Sequence, residues 1–163
     1  MQIRKAESGD RNEIVDLYIR SQEATGLPDP DFLPVNKLGD HLYARHALER
    51  CVAIDMGRIV GHALVELPNP EHLKIWRNGL SAEQADKILE LGGAFVEPTL
   101  GRAGIWTALL IHRLDLVRAK YENIPVSATW TCNDHVKKRF AKLGGKKVGE
   151  QLTGGGPVSL YVF

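Results

Sequence analysis

The sequence predicts one mixed α/β domain with a mostly antiparallel sheet and a single β-α-β crossover. Two β-branched, apolar runs flank Met56-Gly57 in "CVAIDMGRIVGHALVEL", which is typical of a β-hairpin. A strand, a glycine-containing turn, a helix and another strand follow one another within residues 88–130, and this order predicts the crossover. Two strands separated by "TGGG" close the chain, so most strand pairs are expected to be antiparallel.

The segments before the hairpin predict a strand and two helices. "MQIRKA" predicts a short strand, and Ser8 or Asp10 can cap a helix. That helix has one apolar-rich face, formed by Ile14, Leu17, Tyr18 and Ser21. "TGLPDPDFLP" predicts a loop, and a second helix is expected from about Val35 to Arg50, although Gly39 weakens it.

Between the hairpin and the crossover, the sequence predicts irregular structure, a short helix and a strand. "PNPEHLKIWRNG" is expected to be irregular, and Ser81 with Gln84 has the spacing of a capping box. "ILELGGAFVEP" predicts a strand, in which Gly92-Gly93 marks a bulge or a close backbone approach.

Two further helices are predicted after this strand. The first runs from about Ile105 to Lys120 and has an apolar stripe of Trp106, Leu110, Leu114, Val117 and Tyr121. After the strand "NIPVSATWT", the second has Asn133 as its cap, Gly144 as its stop, and Phe140 on one face with Val136 and Leu143.

Length, charge and cysteine content favour a small cytoplasmic domain. The 163 residues fit one domain, 1–163, and the net charge of +1 argues against a broad nucleic-acid surface. Cys51 and Cys132 form no CxxC pair, which favours a reducing cytoplasm. No apolar run of about 18 residues predicts a membrane span, no signal peptide is indicated, and no metal-binding motif is present.

The stretch "VEPTLGRAGIWTALL" combines a strand end, glycines, an arginine and a helix start. The first N–H groups of a helix have no acceptor within the helix, and the helix dipole adds partial positive charge there. Such a junction favours a phosphate group, to which Arg102 and Thr107 can contribute. The alternative is a turn that needs glycine only for its geometry. Neither GxGxxG nor GxxxxGK[ST] is present, which disfavours those two nucleotide-binding classes.

This stretch resembles the acetyl-CoA-binding motif of the GNAT N-acetyltransferase family, V-x-P-x-x-R-G-x-G-I-G-x-x-L-L. The matching residues are Val96, Pro98, Gly104, Ile105, Leu109 and Leu110. "MQIRKAESGDRNEIVDLY", "VAIDMGRIVGHALVE" and "NDHVKKRFAKLGGKKVGE" are similar, in order, to the family's first strand and helix, its hairpin and its N-x(6)-Y segment. The resemblance spans nearly the whole chain and implies a GNAT fold with a β-α-β acyl-CoA-binding core.

The resemblance also implies where acetyl-CoA, the cosubstrate, is bound. The pantetheine arm and thioester are assigned to Phe95 and Val96, and Asn133 is either a cofactor contact or a plain helix cap. The pyrophosphate is assigned to Gly101, Arg102, Ala103, Gly104, Ile105, Trp106 and Thr107. Glycine and arginine are exchanged at 101 and 102 relative to the family motif, and Trp106 replaces a small residue. Trp106 either packs in the core or faces the ligand and alters the site.

The chemistry implied is acetyl transfer to an amine in a ternary complex. Glu90 is the candidate base, the alternative being a solvated or ion-paired carboxylate, and the Val96 N–H is the candidate donor to the thioester oxygen. Phe140 stands where the family often has its tyrosine acid. The sequence does not place the other candidate acids, Tyr161, Tyr121 and Cys132.

The acceptor is expected to be an amine of a small molecule or a peptide. The segments that the resemblance assigns to the acceptor side contain Asp29, Asp31 and Glu71, which are either attractants for a cationic amine or solvated loop residues. A non-catalytic acyl-CoA-binding or regulatory domain is the alternative function, and a transferase with another acyl donor or acceptor is a third. Monomer and homodimer both stay open.

Overall fold

The computed structural model describes residues 1–25, 47–68, 70–100, 104–121, 126–131, 134–153 and 156–163. The strands are β1 (Gln2–Lys5), β2 (Ala47–Asp55), β3 (Arg58–Glu66), β4 (Leu89–Leu91), β5 (Phe95–Val96), β6 (Val126–Thr131), β7 (Lys146–Thr153) and β8 (Gly156–Val162). The α-helices are α1 (Arg11–Thr25), α2 (Pro70–Trp76), α3 (Ala82–Ala85), α4 (Ile105–Lys120) and α5 (Asp134–Lys142). Short 3-10 turns span Ser8–Asp10 and Pro98–Leu100. No helix in the described ranges is long and apolar enough to cross a membrane.

The chain divides into two compact units, Met1–Val65 with Gly93–Arg113 and Glu66–Gly92 with Leu114–Phe163. In the first, β1 pairs antiparallel with β2, β2 neighbours β3, and β5 pairs antiparallel with β3. In the second, Glu66 pairs with β4, and the strand order continues β4-β6-β8-β7. The β4–β6 pair is parallel, and the β6–β8 and β8–β7 pairs are antiparallel. The predicted mixed, mostly antiparallel α/β architecture is confirmed.

The β2–β3 hairpin turns at the predicted dipeptide. Met56 and Gly57 both have positive φ, 47° and 79°. Two successive residues with positive φ are the signature of the tight hairpin turn whose twist matches that of the flanking strands. Met56 is 97% exposed, so its side chain is directed away from the core.

Two predictions about the secondary structure are wrong. Residues 47–50 were expected at the end of a helix, but they begin β2. Farther along β2, residues 51–54 pair with β1, from Lys5 opposite Cys51 to Gln2 opposite Ile54. Residues 70–76 were expected to be irregular, but they form α2, whose Trp76 is buried. At residues 47–50 the sheet overrides the local helix preference. The rest of the predicted second helix, residues 35–46, lies outside the described residues.

The strand predicted at "ILELGGAFVEP" is divided into β4 and β5 by residues 92–94. A Cβ atom added to Gly92 would lie 2.0 Å from the Glu66 Oε1 atom. The group that comes close to the Gly92 backbone, as the sequence predicted for this position, is therefore the Glu66 carboxylate. Gly93 has a φ of 53°, which favours glycine. Gly92 thus makes room for a carboxylate, and Gly93 allows the backbone conformation that interrupts the strand.

The predicted capping box of α3 is confirmed. Ser81 accepts the Gln84 N–H at 3.3 Å, and its own N–H donates to the Gln84 side chain at 3.3 Å. The predicted cap at Ser8 or Asp10 is wrong in position, because Glu7 is the N-cap of the 3-10 turn Ser8–Asp10 that precedes α1. The Asp10 carboxylate accepts the Glu7 N–H at 2.7 Å. The Arg4 guanidinium donates to both Asp10 oxygens and holds the pKa of that carboxyl below its usual range.

Gly61 of β3 allows the first turns of α4 to pack closely against the strand. A Cβ atom there would lie 2.8 Å from Ile105 Cγ2, 2.9 Å from Leu109 Cδ1 and 3.3 Å from Ala53 Cβ. Ile105, Leu109 and Ala53 belong to a buried cluster with Cys51, Val60 and Ala63. The start of α4 is therefore positioned by the absence of a side chain at residue 61.

We expect Gly61→Ala to destabilise the protein by about 1–3 kcal/mol, because the added methyl group overpacks a filled core. Gly149→Ala in β7 is the matched control, since among the described residues its Cβ atom would meet Leu160 Cδ1 alone, at an ordinary 3.6 Å. Chemical denaturation measures both variants. Equal unfolding free energies for the two variants would contradict the packing role of Gly61.

Candidate active site

The backbone of Val96 points away from β3. In the β3–β5 pair, Gly61 is opposite Val96 and His62 is opposite Phe95. The next residue, Glu97, donates its N–H to the Val60 carbonyl at 2.8 Å. Since backbone polar groups alternate in direction along a strand, the Val96 N–H and carbonyl are directed away from β3, and those of Phe95 towards it. Of the two predicted residues, Val96 is thus the one that can present an N–H donor to a ligand.

The Phe95 side chain is a core component. It is buried and packs against the Tyr18 ring, with centroids 5.3 Å apart, and against the His62 ring, with centroids 4.7 Å apart. The His62 Nδ1 atom lies 3.3 Å from the Gly93 carbonyl. These contacts hold the strand immediately before Val96.

Glu97 links the end of β5 to α1. Its carboxylate accepts the Arg20 Nε–H at 3.1 Å and lies 3.0 Å from an Arg20 terminal nitrogen. The two residues are 77 positions apart. No local pattern in the sequence indicates this ion pair, which holds the residue directly after Val96.

Gly104 forms the turn into α4. Its φ is 76°, and no atom of the described residues lies within 4 Å of a Cβ added there. Its carbonyl accepts the Ala108 N–H at 3.0 Å, which closes the first turn of the helix. A helix of 16 residues therefore begins directly after a glycine whose Cβ position is free of contact with the described residues. Gly101, Arg102 and Ala103 lie outside the described residues.

Trp106 and Thr107 are half-buried in the first turn of α4, whereas Ile105 is buried. The fully buried face of this helix consists of Ile105, Leu109, Leu110, Arg113, Leu114 and Val117. Trp106 therefore lies beside the core face rather than in it. The predicted stripe is correct for Leu110, Leu114 and Val117.

The buried face of α4 also contains Arg113, which the sequence reasoning did not single out. Its guanidinium donates to the carbonyls of Leu64 at 3.0 Å and Leu109 at 3.3 Å. Arg113 thus ties α4 to β3. Its position four residues after Leu109, on the apolar face of the helix, was the sequence signal that indicated its burial.

Glu90 is buried beside a second carboxylate. Glu90 is 1% exposed and Glu66 is 5% exposed, and the two are directly opposite each other in the β3–β4 pair. Residues opposite each other in an antiparallel pair have side chains on the same face. The Glu90 Oε1 atom accepts the Trp76 indole N–H at 2.8 Å. The predicted alternative of a solvated carboxylate is therefore wrong.

Sequence reasoning missed both neighbours of Glu90. Leu73, Trp76 and Leu80 are spaced by three and four residues, which is a helical signal that identifies α2 and its buried tryptophan. Glu66 ends an apolar strand, and its pairing with Glu90 depends on a strand register that no local pattern reveals.

Phe140, which stands where the family often has its acid, the candidate acids and the candidate cofactor contact differ in their surroundings. Phe140 is a packing residue, buried against Tyr161 and Phe163 with ring centroids 5.2 Å and 5.7 Å away. Tyr161 is also buried and Tyr121 is half-buried. Asn133 and Cys132 lie outside the described residues.

Cys51 has no character of a nucleophile. Its thiol is buried in the core of the first unit and lies 3.6 Å from the Ala63 carbonyl. Burial raises the pKa of this thiol to about 11, which leaves almost no thiolate at neutral pH. Burial and the raised pKa both disfavour an acyl-enzyme on Cys51.

Comparison with solved structures gives full-length matches at low sequence identity. An N-acetyltransferase from Staphylococcus aureus Mu50 is 18% identical with a TM-score of 0.73, and the match covers 99% of this chain and 96% of that one. A GNAT family acetyltransferase from Streptococcus pneumoniae is 18% identical with a TM-score of 0.73, covering 99% and 97%. No protein-family model matches the chain, and no curated protein matches its sequence.

A GNAT family acetyltransferase from Brucella melitensis, solved in complex with acetyl-CoA, also matches. It is 15% identical with a TM-score of 0.62, and the match covers 99% of this chain and 86% of that one. All three matches cover 99% of this chain. This protein therefore has the fold of the GNAT acetyltransferases.

Proposed function

We propose that this protein is an acetyl-CoA-dependent N-acetyltransferase that moves an acetyl group to an amine by direct transfer in a ternary complex. The observation that carries this proposal is the pair formed by the outward Val96 N–H and the open Gly104 turn, on a GNAT fold. The first is a donor for a thioester oxygen, and the second leads into a helix N-terminus suited to phosphate.

The described part of the junction fits a CoA pyrophosphate. Phosphate oxygens need backbone N–H groups and room for close approach, and the first turn of α4 after Gly104 supplies both. Residues 101–103 complete the assigned binding segment. The half-buried position of Trp106 beside this turn places an aromatic ring where the family has a small residue.

In the proposed reaction the amine nitrogen attacks the thioester carbonyl carbon, so that a C–N bond forms and the C–S bond breaks. Glu90 takes the proton that the amine must lose, directly or through one water, and passes it to solvent. The Val96 N–H donates to the carbonyl oxygen as negative charge develops there. CoA leaves as a thiolate and is then protonated by solvent.

The non-catalytic alternative has one specific observation in its favour. Phe140, at the position of the family's usual acid, has no hydroxyl and is buried among aromatic rings. A CoA thiolate can leave without protonation by an acid. The lack of a hydroxyl at residue 140 therefore means that one catalytic group is absent, but it does not prevent the reaction. Release of free thiol from acetyl-CoA, measured with a panel of small-molecule and peptide amines, distinguishes the two functions. A protein that binds CoA but acetylates no amine would support the binding domain.

We expect Gly104→Ala to weaken acetyl-CoA binding by about tenfold, or about 1.4 kcal/mol. The added methyl group occupies the space through which a phosphate reaches the helix N-terminus, and alanine is disfavoured at a φ of 76°. Gly57→Ala is the matched control, because Gly57 has a φ of 79° and no described atom near its added Cβ. Calorimetric titration compares the two variants. Equal affinities would place the cosubstrate elsewhere.

A further inference from the structure

We propose that Trp76 is a positioning residue for Glu90. Its indole N–H holds the carboxylate in the orientation in which that carboxylate takes the proton of the amine. The inference rests on the proposed function, because it requires Glu90 to be the base. It adds a residue of α2, outside the segments that resemble the acetyl-CoA-binding motif.

The contact has the geometry of a strong, directed hydrogen bond. Trp76 Nε1 lies 2.8 Å from Glu90 Oε1, and each side chain is only 1% exposed. A hydrogen bond to a carboxylate is strengthened where water is excluded. The indole N–H donates but cannot accept, so Trp76 neither takes nor supplies the reacting proton. Its role is therefore to fix the orientation of the Glu90 carboxylate.

The donor is itself held in place. The Trp76 ring packs in a buried cluster with Ile88 and Leu160, and four partly buried residues complete it: Leu73, Leu80, Val148 and Val162. The Trp76 carbonyl accepts the Leu80 N–H at 3.0 Å, which anchors the backbone at the end of α2. Ile88 lies two residues before Glu90 in the chain. One cluster thus fixes both the donor and the start of the strand that carries the acceptor.

Glu66 gives this orientation a purpose. It lies directly opposite Glu90 in the β3–β4 pair, with its side chain on the same face of the sheet. Carboxylates directly opposite each other repel, which favours rotation of one away from the other. The bond from Trp76 opposes that rotation for Glu90, while Glu66 lies against the backbone of Gly92.

A double-mutant cycle of Trp76→Phe and Glu90→Gln tests the proposal. Phenylalanine keeps an aromatic ring but removes the N–H. We expect Trp76→Phe to lower kcat by roughly ten- to hundredfold in the wild-type background, the value of one hydrogen bond to a charged group. In the Glu90→Gln background the loss should stay within about twofold, because no base remains to be oriented. The acetyl-CoA KM should be unchanged in both backgrounds.

Two controls separate orientation from packing. Leu73→Ala removes a side chain from the same cluster, and its effect on kcat should be the same in both backgrounds. Replacing Trp76 with β-(3-benzothienyl)alanine keeps the shape of the ring system and deletes only the donor, which provides a test if Trp76→Phe fails to fold. An equal loss in both backgrounds, or no loss in the wild-type background, would overturn the positioning role. An unchanged rate for Glu90→Gln alone would instead overturn Glu90 as the base, and the inference with it.

Discussion

Glu90→Gln should lower the rate of acetyl transfer by roughly 10²–10⁴-fold at neutral pH, which is the usual contribution of a positioned base. Glutamine keeps the size of the side chain and an oxygen that still accepts the Trp76 N–H. The variant is therefore expected to fold like the wild type and to lose only the base. Its rate should recover partly at high pH, where more of the amine is already deprotonated. Steady-state kinetics over a range of pH measures both effects.

Two other glutamates provide the controls for this experiment. Glu66→Gln makes the same change in the buried carboxylate directly opposite, and Glu83→Gln makes it in an exposed residue of α3. Glu83→Gln should transfer acetyl groups at the wild-type rate. If Glu66→Gln shows the large loss and Glu90→Gln does not, the base is Glu66. If all three variants are as fast as wild type, neither buried carboxylate takes the proton.

Phe140→Ala should destabilise the protein by about 3–5 kcal/mol, because it leaves a cavity among buried rings. Phe140 is 2% exposed, and its ring makes an edge contact with Phe163 and a tilted contact with Tyr161. Lys138→Ala on the exposed side of α5 is the control and should change stability by no more than about 0.5 kcal/mol. Chemical denaturation gives both values. A loss below about 1 kcal/mol for Phe140→Ala would show that its ring does not stabilise the fold.

Local signals predicted several elements closely. Helix α4 spans Ile105–Lys120, as expected from the apolar spacing and from the glycine before it. The Met56-Gly57 turn and the Ser81 capping box were also predicted, since each depends on the conformation of a few consecutive residues. Such features are encoded by neighbours in the chain, which is why a sequence alone reveals them.

The two wrong predictions about secondary structure have different causes. "ALER" at 47–50 contains good helix formers, yet it begins β2, a strand that lies between β1 and β3 in the sheet, and the Arg50 carbonyl accepts the Ala6 N–H at 2.9 Å. Contacts with distant segments outweigh the local preference there. "PNPEHLKIW" contains two prolines that suggest irregular structure, but proline is accepted at a helix start, and α2 begins at Pro70.

By itself, the sequence determined the β2–β3 hairpin, the position of α4 after Gly104 and the candidacy of Val96 and Glu90. Only the tertiary structure decided that the Val96 N–H points away from β3, that Glu90 faces Glu66, and that the Trp76 indole N–H donates to Glu90. Those facts depend on strand register and on packing between separate segments. A shift of one residue in register would turn each side chain to the other face of the sheet, and no local pattern specifies that choice.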